Sequence, residues 1–306
     1  MILSVKNLNI LFKDAVFVED LNFQINNSEI FSIAGESGSG KTLTALSLIN
    51  LLPDFFRAKG EIIFNNQNLL GLSLEEIRKI RGRHISFIFQ DPMVSLNPVM
   101  RVGLQVAEMF IYHYGMKKGE ALVKAREIFD KLRIAHVLES YPHQLSGGMR
   151  QRVMIAMAIA CNAELIIADE PTTALDVTVQ EEILDLLYLL VKEEKKALIL
   201  ITHDINLIGE YADRVMIMYA GKVMEMGAVE EIYKNPLHPY TKALLDCFPE
   251  EGKKIRAIPG NIPHLRKIPK GCSFHPRCAD KREDCSIVEP SLVELKPGHW
   301  VRCLRS

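Results

Sequence analysis

A glycine-rich segment, Gly35-Glu-Ser-Gly-Ser-Gly-Lys-Thr42, constrains the fold of this chain more than any other feature. It follows an apolar, β-branched run at residues 30–34 and precedes a helical pattern at 42–52 that Pro53 stops. The pattern G-x-x-x-x-G-K-[S/T] between a strand and a helix is typical of a phosphate-binding loop. In such a loop the backbone N–H groups turn inward, and the positive end of the following helix faces the anion. The sequence therefore predicts a nucleotide site in an α/β fold.

The side chains of this loop suit ATP and Mg²⁺. Lys41 can reach the β- and γ-phosphates as a point charge, and the Thr42 hydroxyl can ligate Mg²⁺. The alternative is an ordinary glycine turn that caps a helix, and the strand–turn–helix context disfavours it. The residues expected to bind the nucleotide here are Gly35, Glu36, Ser37, Gly38, Ser39, Gly40, Lys41 and Thr42.

Two adjacent acids, Asp169 and Glu170, end an apolar strand predicted at residues 165–168. At the carboxyl edge of a sheet both side chains can approach a nucleotide crevice. Asp169 is expected to hold Mg²⁺ or its water shell, and Glu170 is a candidate general base for the attacking water. Two acids that cap the turn before Pro171 are the alternative, which the upstream loop disfavours.

Charge and hydropathy exclude several classes of protein. The 306 residues carry 37 basic and 38 acidic side chains, so there is no basic surplus for a nucleic-acid partner. The longest apolar runs are far too short to span a bilayer, and the N-terminus lacks the features of a signal peptide. We therefore expect a soluble, intracellular chain of about two domains.

Strand and helix patterns alternate along most of the chain, which predicts a largely parallel α/β sheet. Strand patterns occupy residues 3–5, 17–25, 30–34, 60–65, 85–89, 165–168 and 198–202. Helix patterns occupy residues 42–52, 120–138, 178–195, the stretch after Gly148 and the stretch from Asp204. Past about residue 228 the periodicity fades and proline becomes frequent, which predicts a separate, loop-rich module.

A further motif, Leu145-Ser-Gly-Gly-Met149, precedes a predicted helix. In this order with the loop, Gln90, Asp169-Glu170, Ala174-Leu-Asp176 and His203, it makes the chain resemble the nucleotide-binding subunits of ABC transporters. The similarity is greatest to importer ATPases of the dipeptide, oligopeptide and nickel class. It implies a P-loop NTPase fold of ABC type at residues 1–228, with an N-terminal antiparallel β portion and a helical insertion at about 91–145. A small C-terminal module would occupy residues 229–306.

The resemblance implies further site residues. Phe12 lies where the family stacks an aromatic ring on adenine, although a strand residue in the core would look the same. Gln90 resembles the Q-loop glutamine, which reaches Mg²⁺ and the attacking water; a plain turn residue is the alternative. His203 resembles the switch histidine that contacts the γ-phosphate. Asp176 resembles the D-loop aspartate, which communicates across a dimer, and by itself it would pass as a helix N-cap.

Ser146, Gly147 and Gly148 form an anion-binding element in this interpretation. Two glycines permit close backbone approach, and a helix that begins there points N–H groups at an anion. The alternative is a helix N-cap with Ser146 as the capping side chain. The family uses this element on the nucleotide of the partner subunit, so each ATP lies between two chains. Met149 replaces a common glutamine, which we interpret as a subfamily variant.

The C-terminal region carries its own motifs. Asn235-Pro-Leu-His-Pro-Tyr-Thr241 and Ile258-Pro-Gly260 resemble the tail of the peptide and nickel importer class, although they could be simple turn signals. Four cysteines lie within 32 residues: Cys272, Cys278, Cys285 and Cys303. An intracellular chain favours metal ligation over disulfides, and the absence of paired C-x2–4-C spacing disfavours zinc. A [4Fe–4S] cluster accepts more varied spacing, and some ATPases of this class carry one in a similar setting. Zinc and unligated or redox-paired thiols stay open as alternatives.

The sequence thus predicts an ATP-binding and ATP-hydrolysing subunit of an importer for di- and oligopeptides. Lys41, Gln90, Glu170 and His203 are the catalytic candidates, with ATP and Mg²⁺ as cofactors. An importer ATPase for nickel or a metal chelate is the alternative, ahead of a soluble ABC ATPase, a small-molecule kinase and a redox or metal sensor with ATPase output. The implied partners are a second ATPase subunit (a copy or a related chain), two transmembrane permeases and an extracytoplasmic solute-binding protein. The resemblance places the chain peripherally at the cytoplasmic face of the membrane.

Overall fold

The computed structural model of the chain describes residues 1–173, 175–247, 257–264 and 267–305. Ala174, part of the motif that resembles a D-loop, lies outside the described residues. The strands are β1 (Leu3–Phe12), β2 (Ala15–Ile25), β3 (Ile30–Ala34), β4 (Phe56–Phe64), β5 (Gln67–Asn68), β6 (Ile85–Ile88), β7 (Leu165–Asp169), β8 (Ala197–Thr202), β9 (Arg214–Tyr219), β10 (Lys222–Ala228), β11 (Val293–Lys296) and β12 (His299–Val301). The helices are α1 (Lys41–Leu48), α2 (Leu74–Ile80), α3 (Pro92–Ser95), α4 (Val102–Tyr114), α5 (Lys118–Lys131), α6 (Gly147–Ile159), α7 (Val177–Glu193), α8 (Ile205–Tyr211), α9 (Val229–Lys234) and α10 (Pro239–Asp246).

The chain divides into two compact units. The first unit contains residues 1–71 and 200–306, and the second contains residues 72–199, so the boundary at 199/200 falls inside β8. The C-terminal region therefore packs in the same unit as the N-terminal strands. The domain boundary near residue 228 stays a prediction.

The first unit contains two sets of strands. One is an antiparallel sheet in the order β2-β1-β4-β5, in which Leu3 pairs with Ile25 on one side and Phe64 on the other. This confirms the expected N-terminal antiparallel portion. In the second set β3 runs parallel to β9, with β10 antiparallel to β9 and followed by β12 and β11. All five residues of β3 are buried, as expected of a parallel strand covered on both faces.

The second unit combines two parallel strands with helices α2 to α7. β6 pairs with β7 in a register that aligns Ile88 with Ala168, so the two strands end at the same edge. The expected helical insertion at 91–145 contains α3, α4 and α5, and then two 3-10 turns at Ala135–Val137 and Pro142–Gln144. The mixed α/β fold class predicted from the sequence is confirmed.

Several helices end earlier than their apolar patterns predicted. The helix expected at 120–138 stops at Lys131, and Arg133 adopts a left-handed conformation with φ of 59°. The helix expected to run to residue 52 stops at Leu48, and Asn50 has φ of 51°. A left-handed residue is a common way to end a helix, and apolar periodicity does not reveal it when the residue is not glycine.

The region after residue 228 is more regular than its composition predicted. α9 and α10 follow β10 closely, and the β11–β12 hairpin extends β10 through the pairing of Met226 with Trp300. Helices of six and eight residues are too short to produce a clear periodic signal. Within the described residues, no helix combines the length and apolar composition that crossing a membrane requires.

Candidate functional site

The loop between β3 and α1 has the backbone of an anion-binding turn. Gly35, Gly38 and Gly40 have φ of 146°, 83° and 104°, values that side chains rarely tolerate. Gly35 also has no room for a Cβ atom, which would lie 2.2 Å from the Met218 carbonyl oxygen. The glycines of the sequence pattern are therefore required by the local backbone.

Lys41 closes this loop on itself. Its side chain is 5% exposed, and Nζ donates to the carbonyl oxygens of Gly35 at 2.8 Å and Glu36 at 3.1 Å. The ammonium group therefore lies within the turn, where a polyphosphate would meet it. Thr42 is exposed in the first turn of α1, which leaves its hydroxyl accessible for a cation. These residues fit ATP and Mg²⁺.

The two serines of the loop have different environments. Ser37 is exposed, whereas Ser39 is fully buried. The Ser39 N–H donates to the Glu36 carbonyl oxygen at 3.2 Å, and its own carbonyl oxygen accepts from the Gly221 N–H at 2.9 Å. Ser39 thus fixes the loop against the turn between β9 and β10, while Ser37 stays on the solvent side.

Phe12, at the end of β1, belongs to a cluster of four phenylalanines. Its ring centroid lies 5.9 Å from that of Phe17 and 5.6 Å from those of Phe55 and Phe56. Phe12 is partly buried, and Lys13 Nζ lies 5.8 Å from its ring centroid. The cluster offers an aromatic surface, and the stacking of Phe12 on adenine stays a prediction.

His203 lies at the carboxyl end of β8, in the first unit with the loop. It is exposed, and its neighbours are fixed: the Asp204 N–H donates to Thr202 Oγ1 at 3.0 Å, and Asp204 caps α8 through the Asn206 N–H. The backbone on both sides of His203 is thus held. Its contact with a γ-phosphate stays a prediction.

In the second unit, Asp169 is the last residue of β7 and Glu170 follows it. Asp169 is 2% exposed, whereas Glu170 leaves the strand with φ of 46° and is partly exposed. Glu170 Oε2 accepts from Gln90 Nε2 and from Thr173 Oγ1, both at 2.9 Å. The structure therefore brings together two of the predicted catalytic residues, Gln90 and Glu170.

Thr173, which the sequence patterns do not single out, forms the second hydrogen bond to the candidate base. The chain turns sharply after Glu170, and the Thr173 N–H donates to the Glu170 carbonyl oxygen at 3.2 Å. This turn brings the hydroxyl back to the carboxylate. The sequence feature that could have identified Thr173 is a hydroxyl side chain three residues after the candidate base.

Ser146, Gly147 and Gly148 start helix α6. Ser146 Oγ accepts from the Met149 N–H at 3.3 Å, so this serine is the N-cap of α6. A Cβ atom on Gly147 would lie 2.9 Å from Leu175 Cδ2, and one on Gly148 would lie 2.6 Å from Val179 Cγ1. The two glycines therefore allow the start of α6 to approach the start of α7, whose N-cap is Asp176.

Arg150, another residue that the sequence analysis missed, supports the turn before α6. Its Nε donates to the Pro142 carbonyl oxygen at 3.0 Å, and Nη2 donates to the Leu145 carbonyl oxygen at 2.7 Å. The Asp176 side chain accepts from the Val179 N–H at 3.1 Å. Both helix starts are thus fixed locally, and the roles of Ser146 to Gly148 and Asp176 towards a second chain stay predictions.

The structure does not support a [4Fe–4S] cluster or zinc at the four cysteines. In the part of the chain that the structure describes, no three His, Cys, Asp or Glu side chains form a group that could hold a metal ion. Burial raises the pKa of the Cys272 and Cys278 thiols, and the nearby Cys303 thiol contributes to both shifts. The expectation of a [4Fe–4S] cluster from cysteine spacing is therefore not supported by the described residues, although the Cys272 N–H donates to the Cys285 carbonyl oxygen at 2.9 Å. Cys161 is buried, as expected of an apolar residue, and Cys247 is partly buried.

Comparisons with known proteins agree with this geometry. Residues 18–173 match the family described as ABC transporter, and residues 224–285 match the family described as oligopeptide/dipeptide transporter, C-terminal region. The chain is 45% identical over 314 residues to the oligopeptide transport ATP-binding protein OppD of Escherichia coli (strain K12), with 99% of this chain and 93% of that protein covered. It is 43% identical over 314 residues to the oligopeptide transport ATP-binding protein AppD of Bacillus subtilis (strain 168), with 99% and 96% covered.

Solved structures with a similar fold are ATP-binding cassettes. A dimeric, post-hydrolysis state of the cassette MJ0796 bound to ADP and Pi has a TM-score of 0.67 and 31% identity, and covers 74% of this chain and 98% of that one. The protein cbiO1 of Clostridium perfringens, part of a transporter complex, has a TM-score of 0.66 and 29% identity, with 76% and 91% covered.

Proposed function

Since the chain belongs to the ABC transporter family of ATP-binding subunits, we propose that it hydrolyses ATP to power an importer of di- and oligopeptides. The observation that carries this proposal is the pair of family matches on one chain, an ABC transporter match and an oligopeptide/dipeptide transporter C-terminal match. Relatives that align over almost the whole chain are named for oligopeptide transport, which favours peptides over the nickel alternative.

In this proposal the loop of the first unit binds the phosphates of ATP. The backbone N–H groups after Gly35 and the start of α1 supply partial positive charge, and Lys41 exchanges its carbonyl partners for phosphate oxygens. Phe12 provides an aromatic face for adenine, and Thr42 and Asp169 hold Mg²⁺. A bound Mg²⁺ neutralises charge on the phosphates during transfer to water.

The hydrolytic step depends on Glu170 in this proposal. Its carboxylate is already held by Gln90 and Thr173, and accepts a proton from the attacking water. Gln90 helps to orient that water, and His203 contacts the γ-phosphate to stabilise its developing charge. The hydrogen bond between the Gln90 amide and the Glu170 carboxylate, beyond the carboxyl ends of β6 and β7, is the geometric support for a hydrolase.

The proposed assembly contains a second ATPase subunit, a copy or a related chain. Ser146 to Gly148 of each chain face the nucleotide of the other, and the helices of residues 91–145 transmit the closing motion to two transmembrane permeases. An extracytoplasmic protein delivers the peptide, and this chain lies at the cytoplasmic face of the membrane. These partners and this location are inferences from family membership.

Peptide-stimulated ATP hydrolysis tests the proposal. The chain is reconstituted in proteoliposomes with its transmembrane and solute-binding subunits, and phosphate release is measured with di- to pentapeptides or with a nickel chelate. We expect peptides to raise the rate and the nickel chelate to leave it unchanged. Stimulation by the nickel chelate alone would reject peptide import while leaving the ATPase assignment intact.

A further inference from the structure

Three C-terminal motifs, which the proposed function leaves without a role, converge on Glu36 of the phosphate-binding loop. Tyr240 belongs to the segment 235–241, Pro259 to the segment 258–260, and Arg277 to the segment 271–278, which contains Cys272 and Cys278. Tyr240 and Arg277 contact Glu36 directly, and Pro259 contacts Arg277. All of these residues lie in the first unit.

Arg277 holds the Glu36 carboxylate with a two-pronged ion pair. Nη1 donates to Oε2 at 2.8 Å, and Nη2 donates to Oε1 at 3.0 Å. The Arg277 side chain is 5% exposed and that of Glu36 is 29% exposed. Burial lowers the pKa of Arg277, but the hydrogen bonds to Glu36 and Tyr219 and the charges of these two partners together outweigh burial and raise it. The pair is therefore both charged and geometrically specific.

Contacts other than those with Glu36 also fix the Arg277 side chain. Its Nε donates to the Pro259 carbonyl oxygen at 2.8 Å, and its guanidinium carbon lies 5.7 Å from the ring centroid of Tyr219. The Tyr219 hydroxyl accepts from Nη1 at 3.4 Å. With the guanidinium held on two sides, little entropy is lost when it engages Glu36.

Tyr240 holds the backbone of the same loop residue. The Glu36 N–H donates to the Tyr240 hydroxyl oxygen at 3.0 Å, and Tyr240 is fully buried. The Tyr240 N–H in turn donates to His238 Nδ1 at 3.0 Å. Burial lowers the pKa of His238 to about 3, so this imidazole stays neutral and its Nδ1 can accept. The Glu36 N–H is therefore bonded to Tyr240 and is not directed at a phosphate. The backbone N–H groups that follow Glu36 in the loop are the ones that can face phosphate.

We propose that Arg277 is a positioning residue for ATP binding, which acts by holding and neutralising Glu36 of the phosphate-binding loop. This inference rests on the proposed function only in assuming that ATP binds at this loop. An unpaired carboxylate at position 36 would add negative charge beside a polyphosphate and would free the loop to move. The C-terminal region thereby becomes part of the nucleotide site although it does not touch the nucleotide.

Nucleotide affinity of the purified full chain tests the proposal, with a fluorescent ATP analogue and Mg²⁺ as the probe. We expect Arg277→Met to raise the Kd by about 5- to 30-fold, the range expected when one charge-assisted contact is lost from a partly exposed pair. Arg277→Lys keeps the positive charge but cannot form the two parallel hydrogen bonds to Glu36, so it should give a Kd between those of the wild type and Arg277→Met. Glu36→Gln is measured alongside as the reference for the double variant, because Glu36 itself belongs to the phosphate-binding loop.

The double variant Glu36→Gln/Arg277→Met separates positioning from structural support. Without the carboxylate there is no unpaired negative charge, so its Kd should fall back towards that of Glu36→Gln. The Arg277→Met defect should also shrink as salt rises, because salt screens the repulsion between Glu36 and phosphate. In ATP hydrolysis, Arg277→Met should raise KM far more than it lowers kcat.

Arg282→Met is the matched control, because Arg282 follows Arg277 closely in the chain and is exposed. It should keep the Kd of the wild type, and melting temperatures without nucleotide show whether each variant folds. If Arg277→Met does not fold, Arg277→Lys and the double variant carry the same comparison. A wild-type Kd in Arg277→Met or Arg277→Lys overturns the inference, as does a double variant no better than Arg277→Met. Failure of the wild type to bind ATP would instead reject the proposed function.

Discussion

Glu170 illustrates how single residues prepare this chain for chemistry. Its φ of 46° is costly for a residue with a side chain, and such conformations persist only where neighbouring contacts hold them. Gln90 and Thr173 supply those contacts through one carboxylate oxygen. The candidate base is thus oriented by its own unit before any nucleotide binds.

Replacing Thr173 tests this orientation. Thr173→Val removes the hydroxyl and keeps the shape, so the Glu170 carboxylate loses one of its two described hydrogen bonds. We expect kcat for ATP hydrolysis to fall by about 5- to 30-fold, which corresponds to about 1–2 kcal/mol, with little change in KM.

Thr173→Ser is the control, because it keeps the hydroxyl and should retain most of the activity. Equal kcat values for the valine variant and the wild type would show that Thr173 does not position Glu170. A rise in KM without a fall in kcat would also contradict this role.

At the residue scale the sequence selects candidate residues but does not reveal which of them are in contact. Gln90 and Glu170 were each predicted, and they meet because β6 and β7 are parallel neighbours that end at one edge. Thr173 was missed because its contact depends on the left-handed backbone at Glu170, which no residue type in that stretch signals. The four cysteines were also predicted from spacing, but no metal-holding group is present among the described residues.

At the scale of elements, the approach of α6 to α7 depends on two glycines. Gly148 is the second residue of α6, and the Val179 side chain occupies the space where its Cβ would lie. Val179 is β-branched and stiff, so it cannot move aside cheaply. The start of α6 is thereby fixed against α7, which Asp176 caps.

Gly148→Ala should force these helices apart. Overpacking of this kind costs about 1–3 kcal/mol of unfolding free energy, which chemical denaturation measures. The added Val179→Ala substitution should relieve the clash and recover part of the loss. ATP hydrolysis should fall with Gly148→Ala, because the N–H groups at the start of α6 move.

Gly119→Ala provides a matched control for this experiment. Gly119 is the second residue of α5, and a Cβ there meets nothing within 4 Å. It should be neutral or stabilising by up to about 1 kcal/mol, because alanine favours helix. Equal effects of the two alanine substitutions would refute close packing at Gly148.

The type of an element, helix or strand, was predicted more reliably than the residues at which it begins and ends. Most strands and helices of the first 228 residues were predicted from their apolar patterns, but β5, α2, β9 and β10 were not. The ends of α1 and α5 were misplaced because Asn50 and Arg133 stop these helices without glycine or proline. Helices α9 and α10 escaped prediction because they are short and flanked by prolines.

At the scale of the whole molecule, the contact between Glu36 and Arg277 joins positions 241 residues apart. Sequence patterns found both segments, one as a phosphate-binding loop and the other as a tail motif. Local patterns cannot reveal that the two meet, because the contact depends on how the complete unit packs. The tail therefore acquires a role only in the folded chain.

Steady-state ATP hydrolysis by the wild type and Glu170→Gln, with ATP affinity measured in parallel, tests the central claim most directly. Glutamine keeps the size of the side chain and the contact with Thr173 but cannot accept a proton from water. The account predicts a rate at least about 100-fold lower, as expected when a general base is lost, with the Kd for ATP nearly unchanged. A Glu170→Gln protein that hydrolyses ATP as fast as the wild type would contradict it.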